Sequence, residues 1–189
     1  MAYGSTNLSH ALTENDMMSP SNVYGASKVA AEQSCAALAA HLGVDLVVAR
    51  PFNHTGPGQT TGYAVPAFAA KIAAVLRGES SHIETGRLDA IRDVCDVRDV
   101  VRAYRLLTDA SPGAYNVASG RGIGMGALLE RMLALADVSA SISTPDGDGT
   151  SEPSILIGNA GLLRSITGWG PQIDLDQTLR DVLAEHGAL

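Results

Sequence analysis

Residues 22–59 have the sequence NVYGASKVAAEQSCAALAAHLGVDLVVARPFNHTGPGQ, and this stretch decides the fold. Ala26 to Leu42 is rich in residues that lose little entropy in a helix, and Gly43 supplies a stop, so we predict a helix here. The apolar run Val44 to Ala49 predicts a strand that is covered on both faces of a parallel sheet. Residues 50–59 contain two prolines and two glycines and are therefore predicted to form a loop at the carboxyl end of that strand.

The remainder of the chain continues this alternation of helices and strands, which is typical of an α/β protein. Residues 139–154 are polar and rich in turn-forming residues, which predicts a surface loop or a weak strand. Two further strands are predicted at His82 to Thr85 and Ala114 to Ala118. Further helices are predicted at Val65 to Leu76, Arg98 to Thr108, Met125 to Ala136, Leu162 to Thr167 and Leu175 to His186.

Length and charge limit the classes of function. The 189 residues suffice for one ordinary domain with a core and leave room for a small second lobe. Thirteen Lys and Arg against twenty Asp and Glu give a net charge of −7, which argues against a nucleic-acid partner. No stretch approaches the roughly 18 consecutive apolar residues of a membrane span, and the first residues lack a signal pattern. We therefore expect a cytoplasmic protein without a membrane partner.

The cysteines and histidines form no metal-binding pattern. Cys35 and Cys95 lie far apart without a C-x-x-C motif, so we expect two buried thiols rather than a disulfide or a zinc site. Four histidines have no metal partner at a useful spacing and are expected at the surface: His10, His41, His82 and His186. No metal site is predicted.

Tyr24 and Lys28 form a Y-x-x-x-K pattern at the start of the first predicted helix. The i, i+4 spacing places both side chains on one face of the helix. An ammonium group beside a phenol stabilises the phenolate, so such a pair could move a hydroxyl proton while a nicotinamide exchanges hydride with the same carbon. The pattern also occurs by chance in many helices, and taken alone it fits an ordinary helix face better than a catalytic pair.

The segment from Gly120 to Gly126 is glycine-rich and lies between a strand and a helix, where a dinucleotide-binding loop would belong. Its spacing is wrong for G-x-G-x-x-G, because Met125 stands where the third glycine is required. No acidic residue follows at the end of a second strand. We therefore interpret this segment as a plain connection.

Four segments, in this order, carry a resemblance to a known family: 22–32 (NVYGASKVAAE), 50–59 (RPFNHTGPGQ), 92–100 (RDVCDVRDV) and 115–120 (YNVASG). Together they resemble the extended short-chain dehydrogenase/reductase family, and within it the nucleotide-sugar epimerases and dehydratases. The segment 50–59 looks most like that of GDP-4-keto-6-deoxymannose reductases and GDP-mannose 4,6-dehydratases. The resemblance spans nearly the whole chain.

The resemblance implies a fold and a function. The fold would be the carboxyl-terminal part of a doubly wound, Rossmann-like parallel sheet with a small substrate-binding lobe. Residues 1–62 would be the late part of the dinucleotide-binding domain, and residues 63–189 mostly the substrate lobe, with returning segments that pack on the sheet. The function would be hydride exchange between NAD or NADP and C4 of a nucleotide-diphosphate sugar, as a reductase, dehydratase or epimerase.

The resemblance also implies roles for individual residues. Tyr24 would be the acid/base, and Lys28 would lower its pKa and bind the nicotinamide ribose. Arg92 would hold the diphosphate of the substrate, a role that suits a forked guanidinium. From the residues alone, Arg92 could equally form a surface ion pair with Asp93 or Asp96. The remaining implied contacts are with cofactor and sugar at Pro51, Phe52, Asn53 and His54, and with substrate at Asn53 and Glu152.

Some parts of the family pattern are expected upstream of this chain. The phosphate-binding glycine loop and the hydroxyl partner of Tyr24 would precede Met1, because Tyr3-Gly4 matches the residues that follow that hydroxyl. Gly149 stands where the late arginine of the family is expected. We therefore expect a truncated sequence, and the alternative is a non-catalytic remnant or interaction module of this family that needs a partner half. An unpaired strand edge at Val44 to Ala49 would favour a homo-oligomer.

Overall fold

The computed structural model describes residues 2–4, 10–144 and 154–189 of an α/β fold with parallel sheets. Its helices are α1 (Val23–Leu42), α2 (Ala64–Leu76), α3 (Val97–Leu107), α4 (Met125–Leu135), α5 (Gly161–Thr167) and α6 (Leu175–Glu185). Its strands are β1 (Val47–Pro51), β2 (Asn53–Thr55), β3 (His82–Glu84), β4 (Ile91–Asp96), β5 (Gly113–Val117), β6 (Gly122–Gly124), β7 (Ser141–Ser143) and β8 (Ile155–Leu156). The predicted α/β class is confirmed.

The helix predictions are confirmed to within a few residues at each end, and the predicted strands at β1, β3 and β5 are present. The loop prediction for residues 50–59 is wrong in its first half. Pro51 ends β1, where a missing N–H costs little, and β2 pairs with β4. Besides β2, three more strands escaped prediction, namely β4, β6 and β8, because they are short or polar and are decided by their pairing partners.

Strand β4 lies at the centre of the larger sheet. It pairs in parallel with β2 and β8 and antiparallel with β6. Two smaller parallel pairs, β1 with β5 and β3 with β7, complete the strand pairing of the described residues. Because β2 follows β1 after Phe52 alone, the end of one parallel pair leads directly into the larger sheet.

Two clusters of buried side chains form the core. The first lies around α3, α5, β5 and Phe52, and it includes Cys95 and the fully buried Trp169. The second joins α2, α4 and α6, with Val94 of β4 packed against it. Since Val94 and Cys95 are consecutive in β4, the two clusters cover opposite faces of that strand.

Helix α1 is poorly covered by the described residues. Only Gly25 and Ala39 of its residues are buried there, and Tyr24 and Leu38 are more than half exposed. Cys35 lies on this exposed surface, so the prediction of a buried thiol is wrong for Cys35 and correct for Cys95.

Strand β1 is only half-buried, which corrects the prediction of a strand covered on both faces. Val44 precedes the strand and is 56% exposed. In the part of the chain that the structure describes, β1 pairs on one side, with β5. The division at residue 62 stays a prediction.

The segment from Gly120 to Gly126 is a connection, as interpreted from its spacing. Gly122 to Gly124 form β6 against β4, and a Cβ at Gly122 would lie 2.8 Å from the Ile91 side chain. His10, His41 and His82 are exposed, as predicted, whereas His186 is half-buried. No helix among the described residues has both the length and the apolar character needed to cross a bilayer.

Candidate functional site

Tyr24 and Lys28 lie one turn apart at the beginning of α1. The Asn22 side chain caps this end of the helix by accepting a hydrogen bond from the Gly25 N–H at 2.8 Å. Lys28 Nζ lies 5.3 Å from the centre of the Tyr24 ring. The Tyr24 side chain is 65% exposed, so its hydroxyl is open to a ligand rather than used in packing. The structure therefore brings the predicted pair together.

Phe52 is the buried residue of the segment that joins β1 and β2. Its ring stacks on Tyr3 with the centroids 5.8 Å apart, and its N–H donates to the Val117 carbonyl. A Cβ at Gly158 would lie 2.6 Å from the Phe52 ring, so only glycine fits there without a shift. His54 is placed by a 3.0 Å contact between its Nδ1 and the Phe52 carbonyl oxygen.

Asn53 follows Phe52 at the start of β2. Its side-chain oxygen Oδ1 is buried and has no hydrogen-bond partner among the described residues. A buried acceptor without a donor costs about 1 to 3 kcal/mol. A bound molecule or an ordered water would supply the missing donor.

Arg92 is a half-buried cation that forms no ion pair with any of the described residues. Its Nη1 donates to the carbonyl oxygens of Ile91 at 2.9 Å and Ser154 at 2.6 Å, and its Nη2 donates to Ser154 Oγ at 2.7 Å. Burial lowers the pKa of Arg92, and the charge of Asp89 only partly opposes this. The other two half-buried arginines, Arg50 and Arg102, each contact a carboxylate.

The alternative of an ion pair between Arg92 and Asp93 or Asp96 is wrong. Asp93 accepts hydrogen bonds from Ser119 and from the N–H groups of Gly120 and Gly158, and burial nevertheless raises its pKa. Asp96 caps α3 and pairs with Arg98. Neither carboxylate contacts Arg92, because both serve to fix loops and helices.

Asn53 and Arg92 lie on the same face of two neighbouring strands. Asn53 is paired with Val94 in the parallel register of β2 and β4. Arg92 precedes Val94 by two residues, and residues two apart in a strand point to the same face. Among the described residues, an acceptor without a donor and a cation without an ion pair therefore share one strand face, and this suits a ligand with both hydroxyl groups and negative charge.

Nearly the whole chain matches one family model. Residues 1–182 match the model of the family described as GDP-mannose 4,6 dehydratase. The chain belongs to this family. The family comprises NAD(P)-dependent nucleotide-sugar reductases, dehydratases and epimerases, so the family recognised from the motifs is confirmed.

Individual relatives support the same family. The chain is 38% identical to the GDP-6-deoxy-D-mannose reductase of Pseudomonas aeruginosa over 170 residues, which are 88% of this chain and 56% of that protein. It matches the structure of RMD from Pseudomonas aeruginosa complexed with NADPH with a TM-score of 0.91 and 34% identity, covering 98% of this chain and 63% of that one. A putative epimerase from Burkholderia cenocepacia J2315 matches with a TM-score of 0.84 and 32% identity, over 98% of this chain and 60% of that one. The chain thus spans about 56% to 63% of the length of these relatives.

The described residues do not include Glu152, which is predicted to bind substrate, or Gly149.

A shallow cleft of about 480 Å³ lies elsewhere on the protein. Its lining includes Lys71, His82 and Glu84 and none of the predicted site residues.

Sequence reasoning missed a polar cluster around Arg50. Arg50 Nε donates to Glu32 at 3.1 Å, and its Nη1 donates to the Tyr3 hydroxyl at 2.8 Å and the Glu14 carbonyl at 3.0 Å. Burial opposes the charge of Arg50, but the bonds to Glu32 and Tyr3 outweigh it and raise the pKa of Arg50. The Tyr3 hydroxyl in turn donates to Asn116, so the cluster ties α1, β1 and β5 together. No spacing rule links these positions, because they are distant in sequence.

The Asp96 side chain gives a prediction for pH. Burial disfavours its charged form, but hydrogen bonds from Arg98 and Thr178 outweigh burial and hold the pKa of Asp96 below its usual value. The stabilisation is therefore present above the pKa of an unfolded aspartate and is lost as pH falls through the folded-state pKa. Asp96→Asn should cost about 1 to 2 kcal/mol at neutral pH, since Arg98 is half exposed.

Urea unfolding of parent and variant across pH tests this expectation. The difference in unfolding free energy should shrink as the pH is lowered below the ordinary range of carboxyl pKa values. The control is Asp109→Asn, because Asp109 is 82% exposed in its pair with Arg105. An equal cost for Asp96→Asn at neutral and acidic pH would contradict the assignment.

Proposed function

We propose that this chain carries the substrate-binding surface and the proton-transferring pair of an NAD(P)-dependent enzyme that acts at C4 of a nucleotide-diphosphate sugar. The observation that carries the proposal is Arg92, a half-buried guanidinium with no carboxylate in contact among the described residues. A buried positive charge is costly unless an anion accompanies it. A diphosphate supplies that anion and matches the fork of a guanidinium.

Asn53 supports a sugar beside the diphosphate. Its buried Oδ1 needs a donor, and a sugar hydroxyl is one. Because Asn53 shares the strand face of Arg92, one extended ligand can contact both residues. We assign guanosine as the nucleoside because the matching family and the 38% identical relative are both named for GDP-sugars.

The chain also fits the nicotinamide end of a cofactor. Tyr24 and Lys28 present a phenol and an ammonium on one exposed helix face, and the Phe52 segment packs tightly between Tyr3 and Gly158. When bound, NAD(P) supplies or accepts the hydride. Tyr24 would hold or move the proton of the C4 hydroxyl, and Lys28 would bind the ribose and support the charged phenol. Reduction of a 4-keto group is the reaction that the reductase likeness favours.

The homo-oligomer and the cytoplasmic location stay predictions from the sequence, and the sequence leaves NAD and NADP as alternatives. The relative at 34% identity is complexed with NADPH, which supports a dinucleotide as the cofactor here. A protein that binds the sugar nucleotide without turnover is the alternative, and kinetics distinguish it from the proposal.

Binding of GDP tests the proposed substrate. Titration calorimetry of GDP into the 189-residue chain should show binding, and Arg92→Ala should weaken it about 10- to 100-fold, because a charge-assisted fork is removed. The matched control is Arg105→Ala, which removes the same charge from a side chain that is 75% exposed. Failure of the parent chain to bind GDP, or equal affinity of Arg92→Ala and parent, would refute the proposal.

A further inference from the structure

Ser154 holds the Arg92 guanidinium from one end. The guanidinium has five N–H groups, and three of them are used within the described residues. Both protons of Nη1 go to carbonyl oxygens, and one proton of Nη2 goes to Ser154 Oγ. The protons that remain are on Nε and on Nη2. They lie side by side along one edge of the planar group, which is the edge that binds an anion through two parallel bonds.

The support behind this edge is rigid main chain. The Ser154 carbonyl accepts a hydrogen bond from the Ile91 N–H at 3.0 Å, at the point where β8 pairs with β4. The same carbonyl accepts from Arg92 Nη1. Ser154 is itself partly buried, and its main chain is bonded to β4. The group that holds Arg92 is therefore fixed to the sheet and is not a freely moving surface side chain.

The hydroxyl of Ser154 gives the guanidinium a further fixed contact. Two carbonyl oxygens accept from Nη1 and hold one end of the group. The 2.7 Å bond from Nη2 to Ser154 Oγ adds a second point of attachment, which restricts rotation of the group about Nη1. None of these three acceptors carries a charge, so the positive charge of Arg92 remains available to a ligand.

We propose that Ser154 is a positioning residue that presents the Nε and Nη2 edge of Arg92 to the diphosphate of the substrate. The inference rests on the proposed function and adds a residue that the sequence motifs did not single out. Ser154 does not contact the substrate in this assignment. It acts by fixing the direction of the guanidinium, so that less conformational freedom is lost when the diphosphate binds.

The test uses three substitutions in the 189-residue chain. Ser154→Ala should weaken GDP binding about 3- to 10-fold, the effect of one neutral hydrogen bond. Ser154→Thr keeps the hydroxyl and suits an extended backbone, so it should restore most of the affinity. The control is Ser165→Ala, because the Ser165 hydroxyl bonds only to a carbonyl of its own helix. Thermal unfolding is measured for each protein, and Ser154→Ala should unfold close to the parent.

A second readout does not depend on any ligand. In ¹⁵N NMR spectra, rotation about the Nε–Cζ bond of Arg92 should be slow in the parent and in Ser154→Thr, and faster in Ser154→Ala. The Nε resonance of Arg92 is assigned as the one that disappears from the spectrum of the Arg92→Lys variant. Equal rotation rates in parent and Ser154→Ala would overturn the positioning role, whatever the binding data show. Equal GDP affinity of these two proteins would overturn it as well, whereas no GDP binding by the parent would overturn the proposed function and with it the diphosphate as the target.

Discussion

Replacement of Tyr24 by phenylalanine is expected to lower turnover by about 10²- to 10⁴-fold, the usual contribution of a general acid/base. The side chain is 65% exposed, so loss of the hydroxyl should leave the fold and its stability unchanged. Substrate binding should also change little, because the proposed diphosphate contact belongs to Arg92. The reaction would lose the group that exchanges the C4 hydroxyl proton.

The assay supplies the amino-terminal part that the reductase relatives have and that this chain does not span. A fusion protein in which the amino-terminal part of the Pseudomonas aeruginosa reductase precedes Ala2 supplies it, since the two proteins are 38% identical over the shared part. Oxidation of NADPH with a GDP-4-keto-6-deoxy sugar is then followed by absorbance. Tyr63→Phe is the matched control, because Tyr63 is similarly exposed at 61%. Turnover of the Tyr24→Phe fusion at the parental rate would show that Tyr24 is not the acid/base.

Loss of the Glu32 carboxylate is expected to cost about 3 kcal/mol of unfolding free energy. The side chains of Arg50 and Glu32 are only 12% and 15% exposed, and Arg50 also binds the Tyr3 hydroxyl. Glu32→Ala would leave the guanidinium in a partly buried position without its carboxylate, which is the costly way to break an ion pair. It would also loosen α1, which has few other contacts within the described residues.

Urea unfolding of the two proteins measures this cost. Glu79→Ala provides the control, because Glu79 is 56% exposed in its pair with Arg77 and should cost less than about 1 kcal/mol. A loss for Glu32→Ala no larger than that for Glu79→Ala would mean that the Arg50 cluster does not hold α1 to the sheet.

The helix that carries Tyr24 and Lys28 could be predicted because local composition decides it. Residues with high helix propensity run from Ala26 to Leu42, and the i, i+4 spacing alone places the phenol beside the ammonium. The structure adds the cap at Asn22, which starts the helix three residues earlier than predicted. For such a segment, local preference and tertiary structure agree.

Strand β4 shows the opposite case. Arg92, Asp93 and Asp96 interrupt any apolar pattern, so no periodicity predicts a strand there. It is extended because β2, β6 and β8 pair with it, and its carboxylates are satisfied by N–H and hydroxyl groups from distant segments. The family motif indicated a role for Arg92, but the contact with Ser154 spans 62 residues and only the folded chain reveals it.

Asn53 lies between these cases. The motif predicted a site role for Asn53, and the structure adds that its buried oxygen has no donor among the described residues. Neither propensity nor charge could have indicated the missing donor, because it depends on how the folded chain buries the residue.

A crystal structure of this chain with GDP-mannose tests the central claim most directly. The account predicts that the diphosphate contacts Nε and Nη2 of Arg92 while Ser154 keeps its bonds to Nη1 and Nη2. It also predicts that a sugar hydroxyl donates to Asn53 Oδ1. A diphosphate bound away from Arg92, with Asn53 Oδ1 still lacking a donor, would contradict the account.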